Sequence, residues 1–174
     1  MNRFAFSLGL AITLAIWADA QNGPPAPIAA DHLRQFNTNQ ALLTNLVDHT
    51  VELANAGGSL QRAEACHRVM TDLSNAMSVA VTAQDSPRVA ELNEHISNIV
   101  NDALVPSLRT AKRDIPTTSP DVVKLTELHT QASNDMVRIE GSIPQIGTLG
   151  SSVLVKDSRT KLESAQKLLA NALK

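Results

Sequence analysis

His49, His67, His95 and His129 are the side chains best suited to do chemistry in this chain, and they fall on four successive predicted helices. Imidazole is the commonest transition-metal ligand, and helical bundles assemble metal sites from side chains on facing helices, so the set raises a metal- or haem-binding reading. Glu64 and His67 add the i, i+3 spacing that di-iron carboxylate bundles use. Such a centre takes that motif twice, with two further carboxylates, and no second copy is present in the sequence. Glu91 and His95 are four apart, so both lie on one helix face, which also describes an ordinary solvated pair. Glu64, His67, His95 and His129 are thus the candidate metal ligands of a second reading. The first reading has no metal and no cofactor, because only His129 occupies an apolar seam and the other three lie beside theirs.

Cys66-His67 resembles the end of a C-x-x-C-H haem attachment sequence, but Ala63 stands where the first cysteine belongs. The same two residues fail as a nucleophile and its base, since neighbours on a helix point about 100° apart. Asp48, Glu52, Asp72, Glu127, Asp135 and Glu163 are spread among lysines and arginines and read as solvated helix surface. There is no Gly-rich phosphate loop, nucleophile elbow or zinc-protease motif. The expectation is a protein that is not an enzyme.

Helices must position all of these groups. The first spans about Asp31 to Ala56, with Leu42, Leu46 and Leu53 and the neighbouring Leu43, Val47 and Ala54 as its apolar stripe. Gly57-Gly58 ends it through the left-handed conformation, and Ser59 suits the next N-cap. The second carries Ala63, Cys66, Met70, Leu73, Met77 and Ala80 at alternating steps of three and four, a heptad seam that puts Cys66 on the buried side. Ser86-Pro87 restarts the pattern, with Ser86 as N-cap and Pro87 at the first helical position. The third helix then continues as Val89, Leu92, Ile96, Ile99 and Ala103, and Pro106 predicts a kink or an early end. After Ser119-Pro120 the fourth shows Val122, Leu125, His129, Ala132, Met136 and Ile139. Gly141, Pro144, Gly147 and Gly150 mark a loop, and a last helix from about Ser152 to Leu173 buries Leu154, Leu162, Ala165, Leu169 and Ala172. No window alternates with period two, so the fold class is all-α: an up-down antiparallel bundle of four to five helices occupying residues 31–174 as one domain.

Ahead of the bundle, Met1-Asn2-Arg3, an apolar run from Phe4 to Trp17 and the small-x-small Ala18-Asp19-Ala20 read as a secretory signal over residues 1–20. QNGPPAPIAA, residues 21–30, reads as a Pro-rich spacer. The apolar run is shorter than the ~20 residues that span a bilayer, and no later stretch is apolar enough, so no stable membrane span is expected after cleavage. The expected location is periplasmic or extracellular.

Composition bounds the partners. Removal of the signal takes Phe4, Phe6 and Trp17 and leaves Phe36 as the one aromatic residue. Stacking on bases or sugars rests on aromatic faces, and a formal charge of −2 without a basic patch disfavours nucleic acid. A single cysteine excludes an intramolecular disulfide, so stability rests on apolar packing. The expected partner is a protein.

The segment from Gln61 to Leu108, with RAEACHRVMTDL, TAQDSPRVAEL and ALVPSLRTA, resembles the central part of uncharacterised exported all-helical proteins of bacterial type. That resemblance implies an envelope or extracytoplasmic helical protein with no assigned activity or site residues. It also implies that Arg62, Glu64, Cys66, Asp85, Arg88 and Glu91 form a structural cluster at the interhelix turn. The function expected is a non-catalytic structural or protein-interaction module.

Overall fold

A computed structural model describes residues 30–174, with side chains from residue 39 onward. The signal reading and all of the spacer before Ala30 lie outside the described residues. One unit of the chain ends at Phe36 and a second runs from Asn37 to Lys174; the hydrophobic core belongs to the second.

The described residues are helical throughout, with no strand among them: α1 Ala30–Asn55, α2 Ser59–Thr82, α3 Ser86–Ile99, a π-turn Val100–Leu104, α4 Val105–Asp114, α5 Asp121–Ser142, the short α6 Gly147–Ser151 and α7 Val153–Ala170. All six residues of the α2 seam are buried, as is Val69 beside it. Leu125, Ala132, Met136 and Ile139 of α5 are buried with them. The core among the described side chains is aliphatic and methionine-based, with Met70, Met77 and Met136 fully enclosed. Alanines at 63, 111, 132 and 165 are sealed completely and let neighbouring helices approach closely.

α3 packs most extensively on α7 and then on α2, whereas α5 lies on α2 and α7. Asn93 meets Ser158, and further along Lys112 of α4 reaches the carbonyls of Leu173 and Lys174. α3–α4 and α7 therefore run side by side in the same direction. Helices consecutive in sequence are not always the closest neighbours, because α7 covers α3 instead of packing on α5 alone.

The π-turn changes the seam. Ile99 and Ala103, expected at its heart, are only partly buried, and Val100 and Leu104 are fully enclosed in their place. Val105 N–H donates to the Val100 carbonyl, five residues back. One extra residue in the turn slips the apolar face forward by one position. Pro106 explains why: it has no N–H to give and its ring crowds the carbonyl a turn earlier, and widening the turn relieves both. The expected kink is a register shift, and α4 continues to Asp114.

Several caps differ from expectation. Asp85, not Ser86, caps α3, its carboxylate accepting from Arg88 N–H, and Pro87 sits one position further in. Gly58, not Ser59, is the N-cap of α2, and the Gln61 side chain reaches back to Gly57 N–H. Gly57 and Gly58 do not take positive φ; among the described residues that conformation falls at Gly147 and, without a glycine, at Gln84. Gln84 N–H donates to the Val81 carbonyl and Asp85 N–H to the Ala80 carbonyl, the paired bonds of a Schellman cap. A side chain at φ 57 is strained. Gln84→Gly is expected to raise stability by roughly 0.5–1 kcal/mol, read as a higher urea midpoint at unchanged slope.

Two apolar assignments are corrected. On α1, Leu42, Leu46 and Leu53 pack against the core, but Leu43, Val47 and Ala54 are exposed. On α7, Leu154 is exposed and Val155 is buried, because the buried face runs through Val155, Ser158, Leu162, Ala165 and Leu169 at alternating steps of three and four, and Leu154 lies beside that line.

Candidate functional site

The polar groups singled out by sequence are distributed over different helix contacts. His67 projects from beside the α2 seam, and its Nε2 donates to Asp135 Oδ2 on α5 at 2.8 Å; both side chains are mostly covered. Asp135 also accepts from Arg138, one turn along. His49 of α1 bonds Asp72 of α2 at 3.0 Å through Nε2 and lies 3.3 Å from Glu52 through Nδ1. Glu52 in turn accepts twice from Arg68 of α2. His129 donates from Nε2 to the Leu169 carbonyl at 2.8 Å, satisfying an acceptor in the last turn of α7. His95 is exposed on α3, its Nε2 3.7 Å from Glu91.

Glu64 and His67 share the wall of a shallow cleft of about 270 Å³ between α2 and α5, with Arg68, Lys124, Glu127 and Gln131. His95 and His129 do not line it. Among the described residues no group of three or more histidine, cysteine, aspartate or glutamate side chains is placed to hold a metal ion. Of the four candidate ligands, the structure brings Glu64 and His67 together and leaves His95 and His129 elsewhere.

Sequence reasoning missed Asp72 and Asp135 as working residues, having placed them on solvated surface. Each immediately precedes a seam residue, Leu73 or Met136, and His67 immediately follows Cys66. Positions flanking a seam are where paired helices exchange polar contacts. The cluster implied around Asp85 is divided: Asp85, Arg88 and Glu91 lie at the α2–α3 turn, whereas Arg62, Glu64 and Cys66 lie near the other end of α2, about 30 Å away along the helix.

The electrostatics follow from these ties. A hydrogen bond from Arg68, then one from His49, hold the Glu52 carboxyl below the ordinary carboxylate value. Arg88 does the same for Glu91, and Lys161 for Glu94. A depressed carboxylate stabilises the fold above its unfolded value of 4.5, and that contribution is lost as pH falls through the lower folded value. Glu52→Gln is expected to lose less stability than the natural chain between pH 5 and pH 3, checked by urea midpoints; parallel curves would contradict the assignment.

Cys66 is buried, and desolvation pushes its thiol above the ordinary value of 9.0. Thiolate is the reactive form, so Cys66 is expected to resist a thiol reagent at pH 8 in the native chain and to react once per chain in denaturant. His67 does not activate it, because the imidazole is turned to Asp135.

No helix among the described residues is long and apolar enough to cross a membrane. Compared with known protein families, with curated proteins and with solved structures, the chain finds no match.

Proposed function

We propose that the chain is an exported, non-catalytic up-down helical bundle that acts as a structural or protein-interaction module of the cell envelope or the extracellular space. The observation that carries this reading is the use made of its reactive side chains. His49, His67 and His129 each bond a different helix, so three of the four candidate histidines serve as ties between helices. The surface in turn keeps large apolar side chains, among them Leu43, Val47, Val123 and Val137, that a partner protein can cover.

The bundle direction alternates along the chain, α2 and α5 one way, α3–α4 and α7 the other, which suits short connections at both ends. Export is supported by the charged, apolar and small-residue order of residues 1–20. Chain recovered from an extracytoplasmic fraction should begin at Gln21 when its N-terminus is sequenced. A chain that begins at Met1 and stays in the cytosol would overturn the export reading.

A further inference from the structure

We infer that α1 is a pH-sensitive strap over α2, fastened while both nitrogens of the His49 ring carry a proton and loosened when the ring is neutral. No α1 side chain from Asn39 onward is fully buried, whereas α2, α3, α4, α5 and α7 each bury a stripe of theirs. Leu42, Leu46 and Leu53 rest on the core only partly covered. Beside Leu42 and Asn45 the two helices leave a shallow groove of about 200 Å³, lined on the α2 side by Asp72, Ala76 and Val79. With so little apolar hold, the polar ties to α2 decide how firmly α1 stays down.

His49 stands at the centre of those ties. Its Nε2 lies 3.0 Å from Asp72 Oδ2 and its Nδ1 3.3 Å from Glu52 Oε2, the same oxygen that accepts twice from Arg68. A neutral imidazole has one N–H, so it donates to one carboxylate and turns a lone pair on the other; the imidazolium donates to both. Along Asp72, His49, Glu52 and Arg68 the charges then alternate and cancel, whereas a neutral ring leaves one negative charge in excess. The His49 and Asp72 side chains are mostly covered, so salt screens their pairing less than it would an exposed pair. Asp48 is the one other charged neighbour on α1, and from α3 Arg88 meets α1 only at Asn39, about 15 Å away along the helix and already paired with Glu91. The strap is therefore tightest from about pH 5 to 6, where imidazole is charged and carboxylates are ionised, and slackens as pH rises through the range in which imidazole loses its charge. Release uncovers the apolar side of α1 together with Val69 and Ala76, which share a face of α2 with Asp72.

The test is hydrogen exchange of the full chain, as recovered from the cell, at pH 6 and pH 8, with each amide's protection taken relative to the unstructured chain at the same pH. Protection of the α1 amides from Leu46 to Leu53 is expected to fall about fivefold or more at pH 8, with those of α3 unchanged. His49→Gln, which bonds one carboxylate and does not titrate, should abolish that response, and His67→Gln should keep it. Equal α1 protection at the two pH values in the natural chain would overturn the inference, as would a response that survives in His49→Gln. A fall of the same size in α3 would overturn it too, because the whole bundle, and not a strap, would then be opening.

Discussion

Leu104→Ala is expected to lower stability by about 2–5 kcal/mol, the range for emptying a buried leucine site that cannot fully collapse. Leu104 is completely buried in the π-turn, which joins α3 to α4 and packs on both α2 and α7, so no single neighbour can move to fill the space. Leu154→Ala, at a position more than half exposed, should change stability by less than about 0.5 kcal/mol. The two variants separate the structure from the sequence expectation, which puts Ala103 on the seam of the third helix and buries Leu154 on the last one. Thermal or urea unfolding of the two variants decides it; equal losses would place the register shift in error.

Gly150→Ala is the second large effect. A Cβ built on Gly150 would overlap the backbone carbonyl group of Gln145 and press on the Pro144 carbonyl, and neither neighbour is a flexible side-chain end. The connection is pinned from the other side as well, because Arg159 of α7 bonds the carbonyls of Ile143 and Pro144. Opening the loop to admit a methyl group would pull α6 off the end of α7 and strain those bonds. A loss of roughly 1–3 kcal/mol is expected, the range for overpacking a tight site. Gly141→Ala, where a Cβ meets nothing within contact distance, is the control and should cost none of this. An unchanged melting temperature for Gly150→Ala would show that the loop is looser than described.

The long helices were legible in the sequence to within about three residues, because heptad spacing and Pro or Gly punctuation are local signals; the short α6 was not, since its Gly147 and Gly150 read as loop. The α2 seam was legible in every residue. What could not be read was any feature set by two segments together. The slip from Ile99 and Ala103 to Val100 and Leu104 depends on how one proline is accommodated within a packed helix. The exposure of Leu43 and Val47 depends on α1 having a core on one side only; a broad apolar face in sequence does not say which half is covered. Gln84 took the position usual for glycine because the Schellman bonds and the Asp85 cap hold the turn from both sides.

The candidate site was legible as a list of residues and not as an arrangement. Histidines on successive helices have the same sequence signature whether they converge on an ion or each reach for a separate neighbour. The partners decide, and Asp72, Asp135 and the Leu169 carbonyl are 23, 68 and 40 residues away in sequence from the imidazoles they bond. The seam-flanking positions of the two aspartates were the available signal. They make three of the four histidines interhelical ties, which supports the proposed scaffold role.

The most direct test of that claim is elemental analysis combined with an absorption spectrum of the chain purified from an extracytoplasmic fraction. No stoichiometric transition metal is expected, nor a haem band, and absorption at 280 nm should be small because Phe36 is the one aromatic residue left after cleavage. A stoichiometric metal or a haem band would contradict it, because the histidines would then be ligands and not ties.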